Sequence, residues 1–361
     1  LPGHTLSVTP RGLTEKPYWT LDPTKETRLG SDAEYAEFFR ETFLEAVRCC
    51  MRTDGRVATM LSGGLDSSSI TCATARLLSE TPGAPPLRTL SALYEAVPES
   101  DERRYISTVL EMYRIEPSFF PADRVSPIAE IDRMNLRSGT ANYHGNLYLN
   151  WNLYRTAASS GANVVLDGFD GDSTVSHGQG WLVELALAHR WYRLTRNVKA
   201  SADRLGEEWR PAMRAWMLQF GVKPALRRLR ALDPRRRGTA PAQDAGPALW
   251  ARGLAPEFRH QLQQSAAPPR QQARTEREFH HGVLTRRVLR HTLDMLDTVA
   301  GEAGVEVRLP FCDVRLVEFC LSLPPQQKLR DGWSRYVMRQ AMKGILPEEI
   351  RQRPTKSSIG P

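Results

Sequence analysis

Cysteine is scarce in this chain of 361 residues. There are five (Cys49, Cys50, Cys72, Cys312, Cys320), an odd number with no C-x-x-C spacing. That argues against a disulfide-framed scaffold and a clustered zinc site, and makes a reducing cytoplasm the expected compartment. Cys72 and Cys320 sit among apolar neighbours and read as inert core positions. Long apolar runs are missing too. The richest stretch, Trp181 to Ala188, is short and carries Glu184, far below the ~20 residues of a membrane span. There is no internal repeat, and no Gly-Lys-Ser/Thr closes any glycine-rich loop. The chain opens Leu1-Pro2-Gly3-His4, with neither a start Met nor a secretory leader. The expectation is therefore a segment of a longer polypeptide.

What is present is an ordinary globular balance, 41% hydrophobic and 25% charged, on a chain long enough to bury roughly three quarters of its unfolded surface. Net charge is +8, unevenly spread. Between Arg190 and Arg237 there are fourteen Lys/Arg against four Asp/Glu, an excess of ten, so everything else sums to −2. A basic block of this kind suits nucleic acid, a phosphate-rich ligand or an acidic peptide.

Periodicity alternates between strand and helix. Thr5 to Val8 alternates as a strand, and Asp32 to Arg52 is helical, with Phe38, Phe39, Phe43, Leu44, Ala46 and Val47 on one face. Val57 to Leu61 reads as a buried strand broken by Ser62-Gly63-Gly64, with a helix from about Ser67 to Leu78. A strand from Arg88 to Tyr94 follows, then a helix opened by Ser100-Asp101-Glu102 and running to about Tyr113. A weak strand spans Pro117 to Phe120, a helix Asn146 to Ser159, and a strand Asn163 to Leu166. The pattern predicts an α/β fold, a parallel sheet with helices on both faces. Trp181 to about Leu232 is helical and basic, Asp233 to Pro247 a loop, Leu249 to Gln264 a helix, and Phe279 to Ala300 a helix.

Four motifs carry chemistry. Ser62-Gly63-Gly64-Leu65-Asp66-Ser67-Ser68, after Leu61, joins a strand to a helix. Its glycines let backbone approach an anion, its helix offers free N–H groups, and its serines add donors. Asp66 repels phosphate unless Mg²⁺ lies between them, so a metal–pyrophosphate is the natural guest. A plain Gly-Gly turn with a helix cap is the alternative. Asp167-Gly168-Phe169-Asp170-Gly171-Asp172, also after a strand, holds three carboxylates that are costly unless solvated or bound to a cation. Asp172 is the candidate second metal ligand beside Asp66, and the neighbouring His177 a candidate acid–base group. Glu306 and Arg308 alternate with apolar residues, so they share one face of an extended segment, either orienting a substrate or forming a structural ion pair. Arg353-Pro354-Thr355-Lys356 offers a lysine able to neutralise phosphoryl charge.

In this order the motifs resemble the synthetase domain of the asparagine synthetase family. That family has a Ser-Gly-Gly-x-Asp-Ser pyrophosphate loop, a Gly-and-Asp loop after a later strand, a Glu-x-Arg-x-Pro-Phe-x-Asp segment and a late Arg-x-x-Lys loop. They match here Ser62 to Ser67, Gly168 to Asp172, Glu306 to Asp313 and Arg353 to Lys356. Ser91, Ser100 to Glu102, and Leu323-Pro324 with Lys328 also look similar. The resemblance covers about 1–180 and 280–361. It implies a PP-loop ATP pyrophosphatase-type sheet. The expected division is a connector over 1–25 trailing a glutaminase-like domain, an ATP-binding core over 26–180, a basic helical insertion over 181–278, and the rest of the synthetase domain over 279–361.

The second loop departs from the pattern. Asparagine synthetases carry Gly-Glu-Gly there and β-lactam synthetases a Tyr at the Glu position, whereas this chain has Phe169. The string from Asp167 to Gly178 resembles the lasso-peptide cyclases of the same family, which close a peptide's amine onto an Asp or Glu side chain. The resemblance implies ATP on Leu61 to Gly64, Ser67, Ser68, Ser91, Asp167 and Gly168, and Mg²⁺ on Asp66 and Asp172. It implies carboxylate adenylation aided by Lys356 and Arg308, and amine attack with Glu306 or His177 handling the proton. Macrolactam closure on a ribosomal peptide is the first expectation, with a precursor-delivery protein as a candidate partner. Asparagine synthesis from aspartate and RNA modification on a related loop are the alternatives. Neither a membrane nor, with the Glu306 segment present, a nucleic acid is the expected partner.

Overall fold

The computed structural model describes residues 2–138, 146–222 and 273–354, with 255, 257, 258 and 261 as isolated positions. It opens on an antiparallel hairpin, β1 (His4–Thr9) and β2 (Gly12–Pro17). Helix α1 (Asp32–Cys50) follows, started by a reciprocal cap in which the Glu34 N–H donates to Ser31 Oγ and the Ser31 hydroxyl donates to the Glu34 carboxylate. Strands and helices then alternate: β3 (Arg56–Met60), α2 (Leu65–Ser79), β4 (Leu87–Leu93), α3 (Arg103–Met112) and β5 (Ile115–Pro121). After these come α4 (Ile131–Ser138), α5 (Leu147–Ser159), β6 (Ala162–Leu166) and α6 (Gly171–Val175).

Beyond the sixth strand the chain is mostly helical, with α7 (Gln179–Leu187), α8 (Trp191–Leu205), α9 (Trp209–Trp216), α10 (Glu276–Leu284) and α11 (Arg287–Ala303). The final part holds β7 (Glu306–Arg308), α12 (Val314–Ser322), α13 (Pro325–Lys328), the hairpin β8 (Leu329–Arg330) and β9 (Trp333–Ser334), α14 (Tyr336–Ala341) and α15 (Glu348–Arg351).

Three helical boundaries differ from those the periodicity predicts. The stretch from Trp181 divides into α7, α8 and α9, and α8 ends where Gly206 turns left-handed at φ 69. Phe279 to Ala300 is split, because Arg286 is extended between α10 and α11. Ser100 closes a short 3₁₀ turn rather than capping α3, and Asp101 accepts the Arg103 N–H instead. The loop expected over Asp233 to Pro247 lies outside the described residues. So does most of the helix expected from Leu249 to Gln264.

The main sheet is parallel, in the order β5-β4-β3-β6-β7. The chain runs outward from β3 to β5, then crosses back to lay β6 on the other side of β3. The order therefore reverses between β3 and β6, and the crevice beyond their carboxyl ends is where such sheets hold ligands. Helices cover both faces. Val164 and Leu166 point into a cluster with α1, α2, α12 and α14, while Val165 points into another with α5 and α11. At one edge β5 carries Pro117 and Pro121, and at the other β7 is three residues long.

A third, smaller cluster gathers Trp181, Leu185, Leu194, Val198 and Met213, with Trp191, Trp209 and Trp216 packed on it. These tryptophans of the basic block hold α7, α8 and α9 together and form no exposed stacking platform. Among the described residues no helix is long and apolar enough to cross a membrane. Phe311 is fully buried with its ring centroid 5.1 Å from that of Phe43. Phe311→Ala is expected to cost about 3–5 kcal/mol, read as a lower urea midpoint.

Candidate functional site

The two glycine-rich motifs lie at the carboxyl ends of β3 and β6, side by side. Gly63 stands at φ 71 with its Cα against the Tyr105 side chain, and Gly64 caps α2 with extended backbone and no side-chain acceptor for the helix's first N–H groups. Those N–H groups and the α2 dipole remain available to an anion. Ser62 and Ser67 share a hydrogen bond of 2.9 Å, and the Ser62 N–H donates to Ser67 Oγ. The second loop presses onto this turn. A Cβ on Gly168 would fall 2.8 Å from the Ser67 nitrogen, and one on Gly171 would fall 2.7 Å from the Asp66 carboxyl carbon. Glycine is needed at both positions for the loops to meet.

Between them opens a cavity of about 740 Å³. Of the residues singled out in the sequence, Leu61, Ser62, Gly64, Asp66, Ser67, Asp167, Gly168 and His177 line it. Gly63, Ser68 and Ser91 stand behind them. Gly63 shapes the turn, Ser68 is fully buried in α2 with its hydroxyl unpartnered, and the Ser91 hydroxyl donates to the Leu61 carbonyl, tying β4 to the loop. Asp167 accepts from the Tyr154 hydroxyl at 3.2 Å, from the Asn150 amide and from the Phe169 N–H. Phe169 itself is on the wall, with Leu90, Leu147, Leu153 and Met295 as further apolar lining.

Glu306 and Arg308 are a correction. The expected shared face exists, but it does not open on the cavity. Arg308 grips Glu306 at 2.7 and 2.8 Å and donates to the Cys50 and Arg52 carbonyls. The guanidinium thus satisfies orphan carbonyls after α1, and the Glu306 side chain is left 58% exposed. Alternation identified the face but could not say which side of an edge strand meets the ligand. Lys356 lies outside the described residues.

The acidic group is asymmetric. Both Asp66 oxygens accept from Arg335 Nη1, at 2.6 and 2.7 Å. Asp172 is exposed on α6, with Oδ1 accepting from the Ser173 N–H. Asp170, left-handed at φ 64, is half-buried, and that burial, with Asp172 and Asp66 nearby, pushes its carboxyl up to about 6. His177 is pushed below its usual value by burial and by Arg335, which keeps it neutral near pH 7 and able to accept a proton. Among the described residues no group of three or more His, Cys, Asp or Glu forms a metal site. Asp66 and Asp167 line the cavity, whereas Asp172, expected as the second metal ligand, is not among its lining residues; carboxylates beside a phosphate-type loop fit Mg²⁺, which takes one or two of them and completes its shell with phosphate oxygens and water.

Sequence reasoning missed several cavity residues. Arg335 and Arg339 arrive from α14, and Asn150 from α5. Arg353 donates to the Gly63 carbonyl at 3.2 Å, pairs with Glu102, and stacks 3.8 Å over the Tyr105 ring. It therefore joins the chain's last described turn to the first loop. Beneath α6 lies a buried network of Lys328, His280 and Glu276, all essentially inaccessible. His280 Nε2–H donates to the Ser173 carbonyl at 2.8 Å, which leaves Nδ1 to accept from Lys328 Nζ at 2.8 Å. Glu276 accepts from the Ser176 hydroxyl at 2.7 Å and lies 3.8 Å from Lys328. The network braces the helix that carries Asp172 and leads to His177.

A parallel sheet with a glycine-built turn at its switch point, acidic groups beside it and a deep cavity is the arrangement of a PP-loop-type α/β synthetase domain. The chain belongs to the asparagine synthase family, whose model matches residues 39–361. It is 26% identical over 98% of its length to asparagine synthetase [glutamine-hydrolyzing] 3 of Bacillus subtilis, covering 52% of that protein. It is 23% identical over its whole length to the amidase chyE of Penicillium rubens, covering 58% of it. An 82-residue stretch is 43% identical to the amidase chry2 of Gibberella zeae. The chain thus spans about half the length of the curated relatives it matches along its whole length.

Gly168→Ala is expected to force the two loops apart at a cost of about 1–3 kcal/mol. Nucleotide binding measured by calorimetry should fall sharply, while the far-ultraviolet circular dichroism stays unchanged. Burial pushes the Lys328 amine down to about 8 from 10.5. Between those values the unfolded chain holds a proton the folded chain has released, so stability from this group grows as pH rises through 8 and is lost as pH falls. Urea unfolding of wild type against Lys328→Met should show the wild-type advantage widening from pH 7.5 to 9.5.

Proposed function

We propose that the chain is the synthetase part of an ATP-dependent carbon–nitrogen ligase, which activates a carboxylate as its acyl-adenylate and passes it to an amine. The observation that carries this reading is the meeting of the two glycine-built loops at the β3–β6 crevice, within a chain of the asparagine synthase family. Ser62, Gly64, Ser67 and the open N–H groups of α2 would receive the phosphates, and Asp66 and Asp172 would hold Mg²⁺. When bound, that ion neutralises phosphate charge and helps pyrophosphate leave. Lys356 is assigned the charge developing on the α-phosphoryl group. His177, neutral and on the cavity wall, takes the proton of the attacking amine.

The substrate carboxylate is assigned to a peptide, in a macrolactam closure. Phe169 and its apolar neighbours give the cavity a wall suited to side chains, where a carboxylate would stand in an aspartate-amidating enzyme of this pattern. The basic helices α8 and α9, with Arg193, Lys199, Arg210 and Arg214 exposed, suit an acidic precursor segment or its delivery protein. We assign on this reading the division 1–25 connector, 26–180 core, 181–278 insertion and 279–361 remainder. A reducing compartment suits the five unpaired cysteines. Asparagine synthesis is the second reading, favoured by a relative of that name aligned over 98% of the chain.

ATP–pyrophosphate exchange separates the readings. Aspartate, a peptide with an internal Asp or Glu, and transfer RNA are offered in parallel. Exchange stimulated by the peptide is the expected result. Stimulation by aspartate alone selects asparagine synthesis, and stimulation by RNA rejects both amide-forming schemes. Asp66→Ala is expected to lower magnesium-dependent exchange by at least about a hundredfold, the scale of losing a main electrostatic contact.

A further inference from the structure

We infer that Arg335 is a phosphate-binding residue of this cavity, held in reserve by Asp66 and released to the anion when a cation takes Asp66. The inference rests on reading the first loop as a nucleotide site, and it adds a residue that the four sequence motifs do not contain. Arg335 lines the cavity with its side chain 11% exposed, and both of its hydrogen bonds to Asp66 run through Nη1. Nε is buried without an acceptor. A buried guanidinium N–H left unpaired is costly unless something else receives it, and the group facing this cavity in a working site is an anion.

The backbone places the side chain deliberately. Arg335 is left-handed at φ 53, a conformation non-glycine residues keep only where their surroundings enforce it. Contacts of the preceding turn enforce it. A Cβ on Gly332 would fall 2.4 Å from the Ala200 carbonyl carbon, so the β8–β9 turn lies flat on α8. Arg204 donates to the Asp331 carbonyl, Arg196 pairs with the Asp331 carboxylate at 2.7 Å, and the Trp333 ring has Arg204 at 3.9 Å and Arg339 at 4.9 Å. Two cations thus enter the cavity from α14. Only Arg335 has a carboxylate, since the bonds of Arg339 go to the Ser334 and Arg351 carbonyls.

Asp66 cannot serve Arg335 and a magnesium ion fully at once. A metal arriving with its phosphates takes the carboxylate, and the freed planar fork then faces the phosphate oxygens, for which its geometry is suited. The exchange leaves no buried charge uncompensated at either end.

Calorimetric binding of inorganic pyrophosphate to the 361-residue chain tests this, with and without MgCl₂. Arg335→Gln should weaken binding by about tenfold or more, the scale of a hydrogen bond to a charged group, and Arg335→Lys should fall between. Asp66→Asn should move the other way without magnesium, tightening pyrophosphate binding at least about threefold by freeing the guanidinium. That gain should vanish in the Asp66→Asn, Arg335→Gln double variant. Unchanged binding in a folded Arg335→Gln protein overturns the inference, as does a gain from Asp66→Asn that persists without Arg335. If wild type binds no pyrophosphate under either condition, the nucleotide reading of the loop falls and the inference falls with it.

Discussion

Two stretches of backbone lie closer together here than any side chain would permit. Gly168 rests on the first turn of α2, and Gly171 on the carboxyl group of Asp66. This contact brings the ends of β3 and β6 into one crevice, aims Asp66 and Asp167 into the same cavity, and sets where α6 and His177 follow. The rest of the molecule supports it. The sheet fixes the two strand ends, and Ser91 ties β4 to Leu61. The Lys328–His280–Glu276 network holds α6 from below through Ser173 and Ser176.

How much of this was legible in the sequence follows from the range of each interaction. The loops at Ser62 and Asp167 were legible because glycine spacing, a preceding strand and a following helix are all local signals. The parallel sheet followed from the alternation, since β-then-α periodicity leaves few other arrangements. Arg335 was not legible. Its partner Asp66 is 269 residues away, and nothing near Ser334-Arg335-Tyr336 distinguishes it from a surface arginine. Arg353, Glu102 and Lys328 each stood in a recognised stretch, but the Arg353–Glu102 pairing and the burial of the lysine join residues far apart in sequence and were not legible. Glu306 and Arg308 show the opposite failure: a correct local pattern, whose meaning depended on which neighbour the edge strand met. That neighbour was the end of α1.

The charge of the basic helices α8 and α9 is divided between two directions. Part of its excess is committed inward, since Arg196 and Arg204 anchor the turn before Arg335. Part faces solvent, on Arg193, Lys199, Arg210 and Arg214. The inward arginines link α8 to the β3–β6 crevice through the β8–β9 turn.

The sheet's margins bear on assembly. β5 offers Pro117 and Pro121, which have no N–H to give a further strand, and β7 offers three residues with charged Glu306 and Arg308 among them. Neither margin is a template on which another copy, or an extended peptide, could continue the sheet. An extended chain can therefore meet this sheet only through side chains and loops above the strands, not by pairing along them.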